Sequence, residues 1–240
     1  GFADSGQSLG SSDSLEVALG DLDGDGDLDA YVANFLGQAN RVWLNDGSGV
    51  FADSGRSLGN SWSGGVALGD LDKDGDLDAF VVNDGQGNRV WINDSGGTFA
   101  DRLPGQRSRR GISLGRSESW GVALGDVDGD GDLDAAVANW GDEANRVWLN
   151  DGDGSFSNSG IEIGGSDSSG IALGDLDGDG NLDAFVVNSG QASGVWLNSG
   201  SGSFIDSGQP FGASYGTFVT LGDLDGDADL DALIANDGQA

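Results

Sequence analysis

The segment VALGDLDGDGDLDAYVAN at residues 17–34 decides the fold, because it recurs four more times along the chain. The later copies are VALGDLDKDGDLDAFVVN at 66–83, VALGDVDGDGDLDAAVAN at 122–139, IALGDLDGDGNLDAFVVN at 171–188 and VTLGDLDGDADLDALIAN at 219–236. The first aspartates of successive copies are separated by 49, 56, 49 and 48 residues. A recurring period of this size is typical of proteins in which each repeat is one small supersecondary unit.

Each repeat is predicted to contain four short β-strands. Apolar residues on either side of the aspartate loop form the first two strands. A second recurring segment, RVWLNDGSGVFADSG at 41–55, supplies the third and fourth strands around an Asn-Asp-Gly hairpin turn. It returns at 89–103, 146–160 and 194–208. The pattern predicts an all-β fold, a β-propeller of five four-stranded repeats in a single domain over 1–240, with the last blade incomplete.

The two ends of the chain bear on how such a ring closes. The chain opens with the strand-four sequence GFADSG and closes with the strand-two sequence ALIANDGQA. We expect a closed five-bladed ring in which these terminal strands meet in one blade. A neighbouring chain that donates the missing strand, or further repeats that complete a larger ring, are the alternatives. The chain contains no Met, which indicates a piece of a longer protein.

The aspartate loop of each repeat has the pattern D-x-D-x-D-G-x-x-D, and in the first repeat it spans residues 21–29. Alternate spacing allows Asp21, Asp23, Asp25 and Asp29 to turn towards one point, and the carbonyl of Asp27 can add a further oxygen. Hard oxygen ligands in a flexible loop favour Ca²⁺ over Mg²⁺. An EF-hand does not fit, because its loop needs a Glu at position 12 and helices on both sides.

The strand, aspartate loop and strand, together with the L-G and F-x-D-S-G elements, resemble the FG-GAP repeat of integrin α-subunit propellers. The likeness to the VCBS-type repeats of microbial surface proteins is closer still, and it covers nearly the whole chain. The resemblance implies calcium loops between strands one and two of each blade, at 70–78, 126–134, 175–183 and 223–231 as well as 21–29. The implied ligands are Asp70, Asp72, Asp74, Asp76, Asp78; Asp126, Asp128, Asp130, Asp132, Asp134; Asp175, Asp177, Asp179, Asn181, Asp183; and Asp223, Asp225, Asp227, Asp229, Asp231, with the seventh loop position binding through its carbonyl.

The fifth loop departs from this pattern, because Ala228 stands where the other loops have glycine. If that position requires a positive φ, a Cβ there costs on the order of 1 kcal/mol. We therefore expect about one Ca²⁺ per repeat, with the fifth site the weakest.

Aromatic residues outside the repeated pattern fall on the connections opposite the calcium loops. They are Phe35, Trp62, Trp120, Trp140 and Tyr215. Non-repeated aromatics on loops are typical of recognition surfaces. The alternative is that they fill the central channel or pack between blades.

Composition restricts the function further. The chain has no His and no Cys, and its net charge is −31. The first fact removes most catalytic triads and zinc sites, and the second argues against nucleic acid as a partner. No apolar run is long enough for a membrane span. The resemblance implies adhesion or recognition outside the cell.

We therefore expect a non-catalytic calcium-binding module of an extracellular or cell-surface protein, secreted or periplasmic, that acts in recognition, adhesion or assembly. Its partner would be a protein or glycan on the face opposite calcium, or a neighbouring chain at the incomplete blade. One alternative is a calcium-dependent glycan-binding lectin. The other is the non-catalytic propeller part of a polysaccharide-degrading enzyme.

Two further patterns are weaker. Five of the nine Arg residues fall within fifteen positions, at Arg102, Arg107, Arg109, Arg110 and Arg116. They indicate either a loop that pairs with the acidic body or a contact to an acidic partner. The sequence Asn93-Asp94-Ser95 is a potential glycosylation sequon.

Overall fold

The computed structural model describes residues 1, 3–94, 96–101 and 114–237. These residues form β-strands joined by turns and loops. The first two blades consist of β1 (Ser14–Gly20), β2 (Asp29–Asn34), β3 (Arg41–Asn45), β4 (Phe51–Asp53), β5 (Ser63–Gly69), β6 (Asp78–Asn83), β7 (Arg89–Asn93) and β8 (Phe99–Asp101). The remaining strands are β9 (Glu118–Gly125), β10 (Asp134–Trp140), β11 (Asn145–Asn150), β12 (Phe156–Ile163), β13 (Ser168–Gly174), β14 (Asp183–Asn198), β15 (Phe204–Gly222) and β16 (Asp231–Asn236).

The strands form antiparallel four-stranded sheets in chain order, which is the meander of a propeller blade. In the fourth sheet, β14 and β15 are each long enough to serve as two strands. The last part of β15 pairs with β16 from Gly216↔Asn236 to Gly222↔Asp231, and this pair begins a fifth blade. The described part of the chain contains no helix, and hence none that could span a membrane. The predicted all-β propeller is confirmed.

The hydrophobic core lies between neighbouring blades. One buried cluster joins Leu22 and Tyr31 of the first blade to Val66 and Trp91 of the second, and similar clusters follow at the next junctions. In the first four blades the second strand is the most buried because it is covered on both sides. In β6 every residue is buried. Blade stacking therefore supplies most of the apolar burial that stabilises the fold.

The tryptophan of each V-W-(L/I)-N segment packs against a glycine in the connection that leads into its blade. A Cβ on that glycine would lie 3.1–3.4 Å from the indole ring, which makes the contact close. All four glycines have a positive φ, between 70° and 79°. The pairs are Gly10 with Trp43, Gly59 with Trp91, Gly115 with Trp148 and Gly164 with Trp196. These four tryptophans are framework residues.

The expected closure of the ring is wrong in this structure. Residues 3–9 form no strand, and Gln7 hydrogen-bonds instead to the hairpin of the first blade, at Gly49 O and Phe51 N. In the fifth blade β16 pairs with β15 alone, and Leu233 on β16 is 60% exposed. The described blades therefore form an open arc. Closure depends on the angle between successive blades, which accumulates over the whole chain.

Candidate metal centres and aromatic surface

Five clusters of carboxylates lie at the connections between the first and second strands of the blades. In each cluster, one oxygen from each of the aspartates at loop positions 1, 3 and 9 lies within 4.8 Å of the other two. The clusters are Asp21, Asp23, Asp29; Asp70, Asp72, Asp78; Asp126, Asp128, Asp134; Asp175, Asp177, Asp183; and Asp223, Asp225, Asp231. Three hard anionic oxygens at this separation could hold a metal ion and would repel one another without one.

Each loop is folded by its own aspartates. In the first loop, the carboxylate of Asp21 accepts hydrogen bonds from Gly24 N at 2.8 Å and Gly26 N at 2.9 Å. The carboxylate of Asp23 accepts from Asp25 N at 3.3 Å. Short aspartate side chains that bond backbone amides a few residues ahead are typical of tight turns. The loop thus brings positions 1 and 3 together without help from the rest of the fold.

Position 9 ties the loop to the blade. Asp78 is fully buried, and its two oxygens accept from Leu71 N and Asn93 N, each at 2.8 Å. The aspartates at the same position in the other complete blades, Asp29, Asp134 and Asp183, are equally buried and make the equivalent two bonds. One carboxylate therefore joins the metal loop to the third strand of its own blade.

Burial also changes the acidity of this position. Desolvation raises the pKa of Asp78 to about 7, and the charges of Asp72 and Asp74 add to the rise. The pKa of Asp134 is raised to about 6 for the same reasons. The pKa of Asp183 is also raised, mainly by burial. A bound cation would reverse this effect, because it favours the ionised carboxylate.

The predicted ligands at positions 5 and 7 lie outside the clusters of three. At position 5, Asp25 is exposed and accepts a hydrogen bond from Asp27 N at 3.0 Å. In the other loops the position-5 carboxylate likewise accepts from the backbone N–H at position 7. The acceptor and donor pairs are Asp74 with Asp76, Asp130 with Asp132, Asp179 with Asn181, and Asp227 with Asp229. At position 7, the side chains of Asp27, Asp132 and Asn181 lie against a glycine of the adjacent hairpin turn. Their role as ligands stays a prediction.

Two loop positions adopt a left-handed backbone. The glycines at position 6 have φ between 87° and 95°, and Ala228 adopts 77° at the same place. At position 4 the glycines have φ between 80° and 85°, and Lys73 adopts 61°. The fifth loop therefore carries the strain that its sequence predicts.

A contact that the sequence analysis missed links each of the first three loops to the next blade. The amide of Asn93 donates to Leu22 O of the preceding blade at 2.8 Å and to Leu77 O of its own blade at 3.3 Å. Asn150 and Asn198 repeat the bond, to Leu71 O at 2.9 Å and Val127 O at 2.8 Å. The sequence feature that could have predicted this bond is the Asn that ends all four V-W-(L/I)-N segments, which we interpreted as part of a hairpin turn. Asn93, the acceptor residue of the potential sequon, is buried in the folded chain.

A second link joins the loops of the second and third blades. Lys73 forms a salt bridge with Asp132, and this pairing raises the pKa of the lysine. Lys73 is the only lysine of the chain. Because the lysine is more than half exposed, the pair contributes little to stability.

The predicted aromatic residues come together on the opposite side of the blades. Phe35 contacts Trp62 with ring centroids 5.3 Å apart and Trp120 at 5.7 Å. Trp120 contacts Trp140 at 6.4 Å. Trp62 is 43% exposed and the other three are partly exposed. We call these four residues the aromatic surface.

The aromatic surface borders the central cavity of the arc. This cavity has a volume of about 900 Å³, and its walls include Trp120, Trp140, Val122, Ile171 and Phe218. Tyr215 is 53% exposed and lines the same cavity, packed near Gly190. The described ring contacts do not include it, so Tyr215 lies apart from the stack.

Of the predicted arginine cluster, Arg102, Arg107, Arg109 and Arg110 lie outside the described residues. Arg116 is described and is exposed. Neither interpretation of that cluster is tested.

Comparisons with known proteins agree with this architecture. A lectin of Agrocybe aegerita, described as recognising non-reducing terminal N-acetylglucosamine, has a similar structure with a TM-score of 0.57 and 23% identity. The match covers 92% of this chain and 60% of that chain. BBS1N in complex with ARL6DN has a TM-score of 0.51 and 13% identity, covering 88% of this chain and 58% of that chain. At these identities the likeness shows the fold alone.

The V. cholerae biofilm matrix protein Bap1 is also similar, with a TM-score of 0.47, 19% identity, and coverage of 93% of this chain and 34% of that one. The chain thus spans about three fifths of the first solved structures it matches. No curated protein matches it. The profile of the FG-GAP-like repeat matches residues 21–81, 70–137, 126–186 and 175–234. These matches span most of the sequence, and the chain therefore belongs to the FG-GAP-like repeat family.

Proposed function

We propose that this chain is a calcium-stabilised, non-catalytic recognition module of an extracellular or cell-surface protein. The loops supply the metal part of the proposal. Each cluster offers three carboxylate oxygens, and the carbonyl at position 7 and the carboxylate at position 5 lie in the same short loop. Ca²⁺ accepts six to eight oxygen ligands in flexible geometry, which suits this donor set. When bound, the ion would neutralise the clustered charges.

An extracellular setting follows from the proposed metal. Calcium-binding modules outside the cell work with affinities near 10⁻⁴ to 10⁻³ M, because calcium is abundant there. The absence of His and Cys from the whole sequence supports a non-catalytic role, since the commonest general base and thiol nucleophile are missing.

The aromatic surface is the observation that carries the recognition role. Its rings are partly exposed, form one connected stack and lie away from the metal loops. Two exposed acidic residues lie nearby: the backbone carbonyl of Asp13 accepts from Phe35 N at 2.7 Å, and the Glu118 carboxylate lies beside Gly141, next to Trp140. Aromatic faces beside hydrogen-bond acceptors suit sugar rings as well as a protein side chain.

A glycan is the second candidate and has specific support. The aromatic surface offers partly exposed apolar rings, and the fold neighbour from Agrocybe aegerita is described as recognising non-reducing terminal N-acetylglucosamine. A protein ligand would use the same rings as anchors. The choice between the two decides whether the module is a lectin.

Ligand binding tests the proposal directly. A glycan array and calorimetry in calcium should compare the wild-type chain with Trp62→Ala and Trp140→Ala. We expect both variants to lose binding while their Tm stays close to that of the wild type, because both rings are partly exposed. Val50→Ala, an exposed change on the hairpin of the first blade, is the control and should bind normally.

If either tryptophan variant loses about 3–5 kcal/mol of unfolding free energy, the ring behaves as a core tryptophan. The four aromatic residues would then serve packing rather than recognition. Retained ligand binding in both variants would also contradict the proposed site. Binding of a protein without any glycan on the array would favour the adhesion role over the lectin.

A further inference from the structure

One position of the recurring V-W-(L/I)-N region differs in the fourth blade. An arginine precedes this segment in the first three blades, at Arg41, Arg89 and Arg146, whereas the fourth has Gly194. Side chains alternate along a strand, so this position shares a face with the framework tryptophan two residues later. Apart from its chain neighbours, the nearest described atom to a Cβ on Gly194 would be Trp196 Nε1, at 3.8 Å, and the backbone has no positive φ there. Neither close packing nor backbone strain therefore requires a glycine.

In the first and third blades this arginine pairs with a carboxylate of the fourth strand. Arg146 Nη1 lies 2.8 Å from Glu162 Oε1, and Arg41 Nη1 lies 3.8 Å from Asp53 Oδ2. Asp53 also lies opposite the framework tryptophan of its blade, in the pair Trp43↔Asp53. Residues that lie opposite each other on paired strands share a face of the sheet. The arginine, the tryptophan and the carboxylate thus form one group on one face of the blade.

The fourth blade keeps two of these three groups. Trp196 lies opposite Asp206, which is the counterpart of Asp53. Asp206 is exposed, and its described hydrogen bond is from Gly208 N to Oδ1 at 2.8 Å. None of the ion pairs among the described residues includes Asp206. Gly194 stands where the first blade has its arginine, so this carboxylate lacks the cation that Asp53 has.

A cavity of about 330 Å³ lies beside the position of the missing arginine. Its walls include Gly194, Trp196 and Asp206, together with Gln209 from the fourth strand and Asn145 from the third blade. The cavity therefore lies at the junction of the third and fourth blades, within the chain and away from both of its ends. We call it the blade-four pocket.

The exposure of the framework tryptophans agrees with this difference between blades. Trp91 and Trp148, which lie in blades that have the arginine and also a preceding blade, are each 8% exposed. Trp196 has a preceding blade too, but it is partly exposed. Gly164 covers part of its indole, since a Cβ there would lie 3.1 Å from the ring. The blade-four pocket thus combines an accessible indole with a carboxylate on the same face.

We propose that the blade-four pocket binds an arginine side chain of a partner protein. The guanidinium takes the place of the arginine that the fourth blade lacks. Its N–H groups donate to Asp206, and its plane lies along the indole of Trp196. A guanidinium combines paired hydrogen bonds to a carboxylate with stacking on an aromatic ring, whereas an ammonium is a compact, strongly hydrated charge. The net charge of −31 attracts a basic segment at long range.

The blade-four pocket is separate from the site proposed above. It shares no lining residue with the central cavity, and none of its lining residues belongs to the aromatic surface. The present proposal therefore does not depend on what binds the aromatic surface. It adds a charge-specific contact to a module whose other exposed site is aromatic.

NMR titration of the folded chain tests the proposal, with N-acetyl-arginine amide as the probe. This molecule carries the side chain without a charged terminus. Spectra in saturating calcium and low salt follow the indole N–H signals, and Trp196→Phe identifies the signal of Trp196. We expect a saturable shift of this signal. The citrulline derivative has nearly the same shape without the charge, and it should bind about fivefold more weakly, as the loss of one exposed ion pair implies.

Two variants change the pocket itself. Gly194→Arg restores the arginine of the other blades and should abolish the shift, because the chain's own guanidinium then occupies the pocket. Asp206→Asn keeps an oxygen for the amide of Gly208 but removes the charge, so it should weaken binding about fivefold. Asp53→Asn is the matched control, because it removes the same charge from the first blade and should leave binding unchanged. Thermal melts verify that each variant folds, and Asp206→Asn carries the test if Gly194→Arg unfolds.

Three results overturn the proposal. They are the absence of a Trp196 shift with the arginine derivative, equal affinity for the citrulline derivative, and a shift that survives in folded Gly194→Arg. Equal weakening by Asp53→Asn and Asp206→Asn also overturns it, because the effect would then be one of net charge. N-acetylglucosamine is titrated in parallel. A shift with the sugar and none with the arginine derivative assigns the pocket to a glycan instead.

Discussion

The second and fifth aspartate loops have nearly the same sequence but different surroundings. Both bring three carboxylates within 4.8 Å of one another, through the same local hydrogen bonds. In the second loop, Asp78 is fully buried and accepts from two backbone amides. In the fifth, Asp231 is partly exposed, and its described bond is from Leu224 N at 2.9 Å. The loop makes the cluster by itself, and the neighbouring strands add burial and rigidity.

This difference changes how each loop holds its charges. Burial raises the pKa of Asp78 to about 7, so the metal-free second loop binds a proton more readily than an exposed carboxylate does. Calcium must displace that proton to bind. Enclosed loops should therefore couple metal binding to the stability of the blades more strongly than the open fifth loop does.

The largest expected effect is the loss of the aspartate at position 9. Asp78→Ala leaves the buried amides of Leu71 and Asn93 without an acceptor, and each such loss costs about 1–3 kcal/mol. It also removes a metal ligand. Asp231→Ala should cost about 1 kcal/mol or less in the same urea unfolding experiment, because its surroundings are open to water. Equal losses in the two variants would show that enclosure by the blade is irrelevant.

The pH dependence of the metal-free chain sharpens the comparison. The folded pKa values of Asp78 and Asp134 are raised above their unfolded value, so the folded state binds more protons than the unfolded state between about pH 4 and 7. Stability without metal should therefore be greatest near pH 4 and should fall as pH rises through 6 and 7. With saturating calcium the trend should reverse, because protons compete with the ion. Thermal melts at several pH values, after exhaustive metal removal, would measure both slopes, and a flat metal-free profile would contradict the assigned burial.

The smallest effect concerns the backbone of the fifth loop. Ala228 has a φ of 77°, where the other loops have glycine. Ala228→Gly should stabilise the loop by about 1 kcal/mol and tighten its calcium affinity. Gly131→Ala, the reverse change in the third loop, is the matched control and should destabilise by a similar amount. A neutral Ala228→Gly would mean that the loop relaxes to avoid the strain.

The sequence predicted those features that depend on residues close together in the chain. The aspartate clusters lie within nine residues, and turn chemistry alone assembles positions 1 and 3. The four-strand blades follow from the repeated apolar segments and hairpin signals. The positive φ of Ala228 was also predictable, because four other loops have glycine at that position.

Features that depend on several blades could not be read in the same way. Phe35, Trp62, Trp120 and Trp140 were each recognised as non-repeated, but their contacts depend on how three blades pack. Asp78 bonds both its own loop and the third strand of its blade, and Asn93 bonds the preceding blade. Neither bond can be predicted without knowing where these distant segments lie in the fold. Ring closure was wrong because it depends on small angles between blades, which no single repeat encodes.

Calorimetric titration of the metal-free chain with Ca²⁺ tests the central claim most directly. The account predicts saturable binding by four sites of similar affinity and a weaker fifth, with little heat from Mg²⁺ at the same concentrations. The Tm should rise in step with occupancy. The free energy of unfolding should increase by roughly 2.7 kcal/mol for each site at a calcium concentration of 100 times its Kd. A folded chain that binds no Ca²⁺, or binds Mg²⁺ equally well, would contradict the assignment of the aspartate loops as calcium sites.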